Sequence, residues 1–160
     1  MAYTDTKPGE RLQITFTHAM PYEWSVGLYG SKFFKEIKEN GRFVGIRCPD
    51  CGKVYVPPRR VCGPCFKELT ELVPLSDTGV ITAFSIVNYP FIDPNTGSQR
   101  PIPYTYGYIR LDGADSIFSH IINETDLSKI KVGMRVRAVF KDKKDMQGNI
   151  QDILHFEIIG

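Results

Sequence analysis

The stretch CPDCGKVYVPPRRVCGPC, Cys48 to Cys65, carries all four cysteines of the chain as two Cys-x-x-Cys pairs separated by ten residues. Either pair alone is ambiguous, because two thiols at that spacing close a disulfide on themselves or place two thiolates on one cation. Read together, Cys48, Cys51, Cys62 and Cys65 form two knuckles, and tetrahedral zinc takes its four thiolates from such a pair of tight turns. Gly52 and Gly63 suit those turns, and KVYVPPRR between them makes a short β-excursion that returns the second pair to the first. The competing reading is a thioredoxin-like dithiol, suggested by Cys62-Gly63-Pro64-Cys65. It needs a strand before the first cysteine and a long helix after the second to depress the thiol pKa. Here FKELTELVP stops at Pro74, and no βαβ pattern surrounds it. The expected ion is structural zinc, with rubredoxin-like iron as the alternative for a four-thiolate sphere.

The segment around the knuckles, from Arg42 to about Leu72, is rich in proline and poor in core residues, so something other than apolar burial must hold it. On either side the composition changes. The first dozen residues are polar and read as a tail. After them, Phe33, Phe34 and Ile37 make the apolar stripe of a short helix of two to three turns, with Ser31 as its cap and Asn40-Gly41 as its stop. After Pro74 apolar and polar residues alternate between turn signals, the period of β-structure. Five strands are expected, beginning near Gly79, Tyr104, Ser116, Gly133 and Ile150. On the fourth, Met134, Val136, Ala138 and Phe140 face the core; on the fifth, Leu154, Phe156 and Ile158 do so, opposite His155 and Glu157. NETDLSKIKV between the third and fourth strands is long enough for one helical turn, and DKKDMQGN reads as a hairpin loop. Five strands with a short helical crossover suggest an OB-type Greek-key barrel. The expected fold is therefore mainly β: an N-terminal tail and helical segment over 1–41, a rubredoxin-like zinc ribbon over 42–72 and a five-stranded OB-fold over 73–160.

Several function classes drop out. At 42% hydrophobic and 24% charged the chain has the composition of a soluble globular domain. No apolar run approaches the roughly 20 residues that span a bilayer, and the start lacks the apolar core of a secretory signal, so no membrane partner and a cytoplasmic location are expected. A net charge of +2 is too small to imply nucleic acid by itself. Four cysteines bound to metal leave no thiol nucleophile, and a closed four-ligand site has no position for water. Nucleophile elbow, phosphate loop, dinucleotide fingerprint and zinc-protease helix are all missing from the sequence. The histidines, His18, His120 and His155, are scattered and read as structural or rim residues. No catalytic residue is expected.

Two features point to ligands. Arg42, Arg47, Lys53, Arg59, Arg60 and Lys67 gather around the cysteines, either as a phosphate site or as cations that offset the net negative charge of four thiolates on one dication. On the second barrel strand Tyr104, Tyr106 and Tyr108 share a face with Arg110 beyond, an arrangement that stacks bases of single-stranded nucleic acid or one adenine of a nucleotide-like ligand. A half-buried strand face also favours tyrosine for its own sake.

With knuckles and barrel in this order, FFKEIKENGRFVGIRCPDCGKVYVPPR, GVITAFSIV and KVGMRVRAVF carry a resemblance. The chain resembles the family of acyl-CoA-associated proteins that join N-terminal helices, a rubredoxin-like zinc ribbon and a C-terminal OB-fold, formerly a domain family of unknown function. It departs from many relatives by having Leu72-Val73 where they carry tryptophan just after the ribbon. The resemblance implies a non-catalytic accessory subunit of a heteromeric thiolase-type enzyme (an acyl-CoA C-acyltransferase), supporting assembly and acyl-CoA binding. The implied substrates are aromatic or steroid acyl-CoA compounds, benzoylsuccinyl-CoA of aromatic degradation among them. CoA offers an adenine, phosphates and a long arm, so by residue type Arg59, Arg60, Arg100 and Tyr106 become candidate CoA contacts. Trp24, Leu28, Phe33 and Phe34 carry more apolar surface than a short tail needs and are expected to dock on the partner; the loop PFIDPNTGSQRPIP is a further candidate. The alternative is a single-stranded nucleic-acid-binding OB-fold protein.

Overall fold

The computed structural model describes residues 24–92 and 97–160. The expected polar tail and His18 lie outside the described residues, as do four residues of the 90–103 loop. Among the described residues no helix is long and apolar enough to cross a membrane.

Helix α1 spans Gly27–Asn40, 14 residues, longer than the stripe alone implied. Ser31 does not cap it. Its Oγ donates to the carbonyl of Gly27 at 2.7 Å, one turn inside the helix; the N-cap position is Val26, which makes no side-chain cap, and Ser25 Oγ before it accepts from the Gly27 N–H at 3.1 Å. The stop is as expected: Gly41 sits at φ 61°, and its N–H returns to the Ile37 carbonyl at 2.9 Å. Phe33 and Ile37 are the buried residues of this helix.

Three strands follow as one antiparallel sheet in the order β2-β1-β3: β1 (Phe43–Arg47), β2 (Val54–Tyr55) and β3 (Glu71–Leu75). The remaining five, β4 (Thr78–Val87), β5 (Tyr104–Leu111), β6 (Phe118–Ile122), β7 (Arg135–Phe140) and β8 (Ile153–Ile158), close into a barrel of order β4-β5-β6-β8-β7. This is the mainly β, ribbon-plus-barrel architecture expected, and the five barrel strands are the five that the alternation marks. Parallel pairing of β6 with β8 closes the barrel through the register Ile122–Phe156.

Two local expectations are corrected. Between β6 and β7 the chain makes hydrogen-bonded turns, such as Lys129 N–H to the Asp126 carbonyl at 2.9 Å, and no helix. Asp126 accepts from the Ser128 N–H and hydroxyl, and a short polar side chain that bonds its own backbone favours a turn over a helix. On β8, Leu154 is 46% exposed while Ile153 and Phe156 are buried. The cause is a bulge: Val139 pairs with His155 but Phe140 pairs with Ile153, so Leu154 is the extra residue and the alternation shifts by one. The β7–β8 loop is the expected hairpin connection. It is held by the buried carboxylate of Asp152, which accepts from the N–H groups of Gln147, Gly148 and Asn149.

Helix, sheet and barrel share one core. Phe33 from α1, Phe43 from β1, Phe118 from β6 and Phe156 from β8 pack ring on ring, with Phe43 parallel to Phe156 at 6.2 Å and Phe33 stacked on Phe43 at 6.2 Å. Ile81, Ile109, Leu111, Ile122 and Val136 complete it. A smaller cluster of Ile46, Cys48, Tyr55, Cys62 and Leu69 lies on the knuckle side of the sheet, and Leu72 packs against both.

Candidate metal centre and ligand cleft

The two knuckles are built alike. Cys48 N–H donates to the Lys53 carbonyl at 2.8 Å and Gly52 N–H to the Cys48 carbonyl at 3.0 Å; Cys62 N–H donates to Lys67 at 2.9 Å and Phe66 N–H to Cys62 at 3.0 Å. Each turn needs a left-handed residue just after its second cysteine. Gly52 takes that role at φ 73°, and in the second knuckle Phe66 takes it at φ 57° rather than Gly63. The turns bring the Sγ atoms of Cys48, Cys51, Cys62 and Cys65 within 4.8 Å of one another.

That donor set fits a tetrahedral ion. Sulfurs about 2.3 Å from a zinc ion sit about 3.8 Å apart along the edges of the tetrahedron, and Cys51 and Cys62 are 3.7 Å apart. The electrostatics agree. A hydrogen bond from Tyr55 Oη, 3.2 Å from the sulfur, draws the Cys62 thiol down to about 6, whereas contact with the Cys51 sulfur and burial push Cys65 up to about 12. Four thiols this close ionise together only around a cation. Tyr55 is a functional neighbour that motif reading passed over; its place midway between the knuckles was the available signal.

The basic residues around the knuckles are largely engaged within the chain. The Arg59 guanidinium lies over the Tyr55 ring at 3.5 Å, Arg60 pairs with Glu68 at 3.2 Å, Lys67 with Asp50 at 4.0 Å and Arg42 with Glu36 at 2.9 Å. Arg59 is thereby fixed beside the thiols through Tyr55.

Arg100 and Tyr106 sit elsewhere, on the barrel. They line one cleft of about 310 Å³ together with Ser119, His120, Gln151 and Leu154. Arg59 and Arg60 are not among its walls, so the structure gathers two of the four candidate CoA contacts and leaves the other two on the ribbon. The tyrosine stripe faces outward: Tyr106 and Tyr108 are exposed, meet edge to face at 6.3 Å, and the Tyr106 hydroxyl donates to Ser119 Oγ at 3.3 Å. Arg100 lies 5.3 Å over the Tyr104 ring. His120, a core residue on β6, stacks on Phe118 at 6.1 Å and meets Phe156 edge-on at 6.1 Å. Its Nδ1 is buried without a hydrogen-bond partner among the described residues. Burial holds its pKa below the ordinary histidine value.

Of the expected partner contacts, Trp24 and Leu28 are exposed at the start of α1, joined there by Val26. Phe33 is 1% exposed, which corrects the expectation that it docks on a partner: its ring is spent on the core, stacked on Phe43. Phe34 is half-buried against the same core. Phe66, on the second knuckle, is 82% exposed and was not singled out by pattern, because an isolated aromatic in a cysteine turn has no periodic neighbour.

Comparison with known proteins gives a consistent picture. Residues 36–71 match the family described as ChsH2, rubredoxin-like zinc ribbon domain, and residues 72–141 match ChsH2, C-terminal OB-fold domain. A DUF35 domain-containing scaffold protein of Methanocaldococcus jannaschii is 30% identical over 113 residues, which cover 70% of this chain and 77% of that protein. A DUF35 domain-containing scaffold protein of Methanothermobacter thermautotrophicus is 26% identical over 70% of this chain and 81% of its own length. Benzoylsuccinyl-CoA thiolase subunit BbsA of Thauera aromatica is 35% identical over 78 residues, 48% of this chain and 49% of that subunit. Among solved structures, the one described as Ltp2-ChsH2(DUF35) aldolase superposes with a TM-score of 0.61 at 19% identity, covering 85% of this chain and 98% of that one. A DUF35-family protein of unknown function from Sulfolobus solfataricus also superposes with a TM-score of 0.61, at 20% identity, over 83% of this chain and 87% of that one. At these identities the two structures speak for the fold.

Proposed function

Because the chain belongs to the DUF35 family, in which a ChsH2-type zinc ribbon is joined to an OB-fold, we propose that it is a non-catalytic accessory subunit of a heteromeric thiolase-type enzyme acting on acyl-CoA. The observation that carries this reading is the relationship to two scaffold proteins and to a subunit of a benzoylsuccinyl-CoA thiolase. Benzoylsuccinyl-CoA is accordingly the first acyl-CoA to test.

In this reading Cys48, Cys51, Cys62 and Cys65 hold zinc, with iron as the alternative. The ion would link the ends of the excursion between the knuckles and, with all four positions taken by sulfur, would contribute structure alone. Tyr55 donates a hydrogen bond to one ligand sulfur and Arg59 places a cation behind Tyr55, so the chain's own residues offset the charge of the thiolates. Trp24 and Leu28, exposed on one end of α1, are the partner contacts. Arg100 and Tyr106 are the residues of this chain that would meet CoA, through a phosphate and through a ring; Arg59 and Arg60 would first have to leave Tyr55 and Glu68.

The test is purification of the tagged full-length chain from its native cells. A stoichiometric complex with a thiolase-type chain is expected, with acyl-CoA activity that needs both. A chain that purifies alone, beside a thiolase fully active without it, would overturn the proposal.

The outward tyrosine stripe favours one second reading, single-stranded nucleic-acid binding. It predicts salt-sensitive binding of oligonucleotides, and no binding at low salt removes it.

A further inference from the structure

Tyr55 is fixed on every side that the structure describes. The residues flanking it on β2, Val54 and Val56, are hydrogen-bonded to Asp115 and Ser116 in the turn between β5 and β6. Across the sheet it pairs with Ile46 of β1, and its ring packs in the buried cluster of Ile46, Cys48, Cys62 and Leu69. The barrel and the sheet together therefore aim its hydroxyl.

That hydroxyl lies 3.2 Å from Cys62 Sγ, and both residues are buried. A thiolate bound to a metal carries no proton, so in the loaded chain the hydroxyl is the donor. Away from water such a bond is electrostatically stronger than at the surface, and it draws more charge from the sulfur. Arg59 adds to this. Its guanidinium carbon sits 3.5 Å from the centroid of the Tyr55 ring, and the group reaches on to the second knuckle, where a side-chain carbon placed on Gly63 would meet Arg59 Nη2 at 3.6 Å. A cation on the face of a phenol pulls electron density from the ring and makes the hydroxyl a stronger donor.

The charge of the centre depends on the ion it holds. Four thiolates leave a net charge near minus two around a divalent ion and near minus one around a trivalent ion. A hydrogen-bond donor and a nearby cation stabilise the more negative assembly more, because their attraction scales with the charge they face. Arg60 and Lys67 are opposed by Glu68 and Asp50, which cancels much of their effect. Arg59 instead faces a neutral ring whose far end touches a ligand sulfur.

We infer that Tyr55 and Arg59 act as a pair that selects a divalent ion over a trivalent one at the four cysteines, through the hydrogen bond on Cys62 and the guanidinium behind it. This rests on the reading of Cys48, Cys51, Cys62 and Cys65 as a metal site and adds specificity to it. Zinc meets the requirement as it stands; iron meets it in the ferrous state. Both residues are positioning residues, outside the ligand set and acting through Cys62.

The test uses the full-length chain loaded with iron and, separately, with cobalt(II), beside Tyr55→Phe and Arg59→Gln. The first variant keeps the ring and removes the donor; the second removes the cation at an exposed position. Redox titration of the iron form reads the selection directly. Loss of the hydroxyl is expected to cut the ferrous-to-ferric ratio at a fixed potential about tenfold, a fall of about 59 mV for a one-electron couple. Arg59→Gln should move the potential the same way by less, and Arg59→Lys by less again. In the cobalt form the sulfur-to-cobalt charge-transfer band should move to longer wavelength in Tyr55→Phe and Arg59→Gln, since a thiolate without its hydrogen bond gives up charge more readily. Tyr29→Phe is the control. The Tyr29 hydroxyl donates to the Leu69 carbonyl at 3.4 Å beside the same cluster, so its loss should leave potential and band in place. An unmoved potential and band in Tyr55→Phe overturn the inference and leave the metal site standing. The same shift in Tyr29→Phe also overturns it, by tracing the effect to loosened packing. A chain that binds neither ion overturns the metal site and the inference together. Where Tyr55→Phe fails to fold, Arg59→Gln decides, and an unmoved potential there overturns the inference.

Discussion

Asp115, in the turn between β5 and β6, and Val54, on β2, are bonded to each other in both directions: the carboxylate accepts the Val54 N–H at 2.8 Å, and the Asp115 N–H donates to the Val54 carbonyl at 2.8 Å. Ser116 repeats the arrangement on Val56, accepting its N–H at 2.7 Å and donating to its carbonyl at 2.9 Å. The barrel thus supplies the outer edge of β2 with the partner that the three-stranded sheet does not.

Asp115→Ala should destabilise the chain by about 1–3 kcal/mol, because it leaves the N–H of a buried valine unsatisfied while removing little packing. Asp115→Asn keeps an acceptor and should recover most of the loss. Chemical denaturation of the three proteins measures this; equal midpoints would show that the β2 edge is satisfied without the carboxylate.

Removing the metal should unfold the knuckles first. A chelator at neutral pH is expected to release one ion per chain, to make all four cysteines reactive toward a thiol reagent, and to lower the melting temperature, whereas mild reductant alone changes nothing. Metal analysis beside thiol titration checks it. Cys62→Ser should mimic chelation most closely, since Cys62 is fully buried and carries the Tyr55 hydrogen bond.

His120 sets an acid limit. Its pKa is lowered in the folded chain, first by burial and then by the nearby charges of His155 and Arg100. Above about pH 7 the ring is mostly neutral both folded and unfolded, so its titration adds nothing to the pH dependence. As pH falls through the unfolded value of about 6.5, the unfolded chain takes the proton more readily than the folded one, so stability declines. His120→Phe should flatten that part of the pH–stability curve, and thermal melts between pH 5 and about 7.5 would display it. A wild-type curve already flat across that window would count against the assignment.

Phe66 holds a left-handed backbone at 82% exposure, and a non-glycine residue there costs about 1–2 kcal/mol with little packing in return. Glycine gives back some of that in chain entropy. Phe66→Gly is therefore expected to stabilise the metal-loaded chain by up to about 1 kcal/mol, read from denaturant midpoints. A destabilised variant would mean that the exposed ring makes contacts beyond those seen.

Sequence alone determined what depends on local spacing. Two Cys-x-x-Cys turns ten residues apart specify a four-sulfur site because each knuckle is a self-contained turn. The alternation after Pro74 specifies five strands because side chains change face at every residue. Gly41 ends α1 because it alone adopts the left-handed cap without strain. Tertiary structure decided what depends on neighbours distant in the chain. Phe33 looked like a docking residue until Phe43 stacked on it. Leu154 looked like core until a bulge against Val139 and Phe140 turned it outward. Ser31 lies inside the helix rather than at its cap because α1 begins a turn earlier than its apolar stripe. Arg59 and Arg60 were drawn to Tyr55 and Glu68, while Arg100 and Tyr106 line one cleft on the barrel. Periodicity fixes which face a residue takes within its own element; which element covers that face depends on packing and register between segments, and no local pattern encodes them.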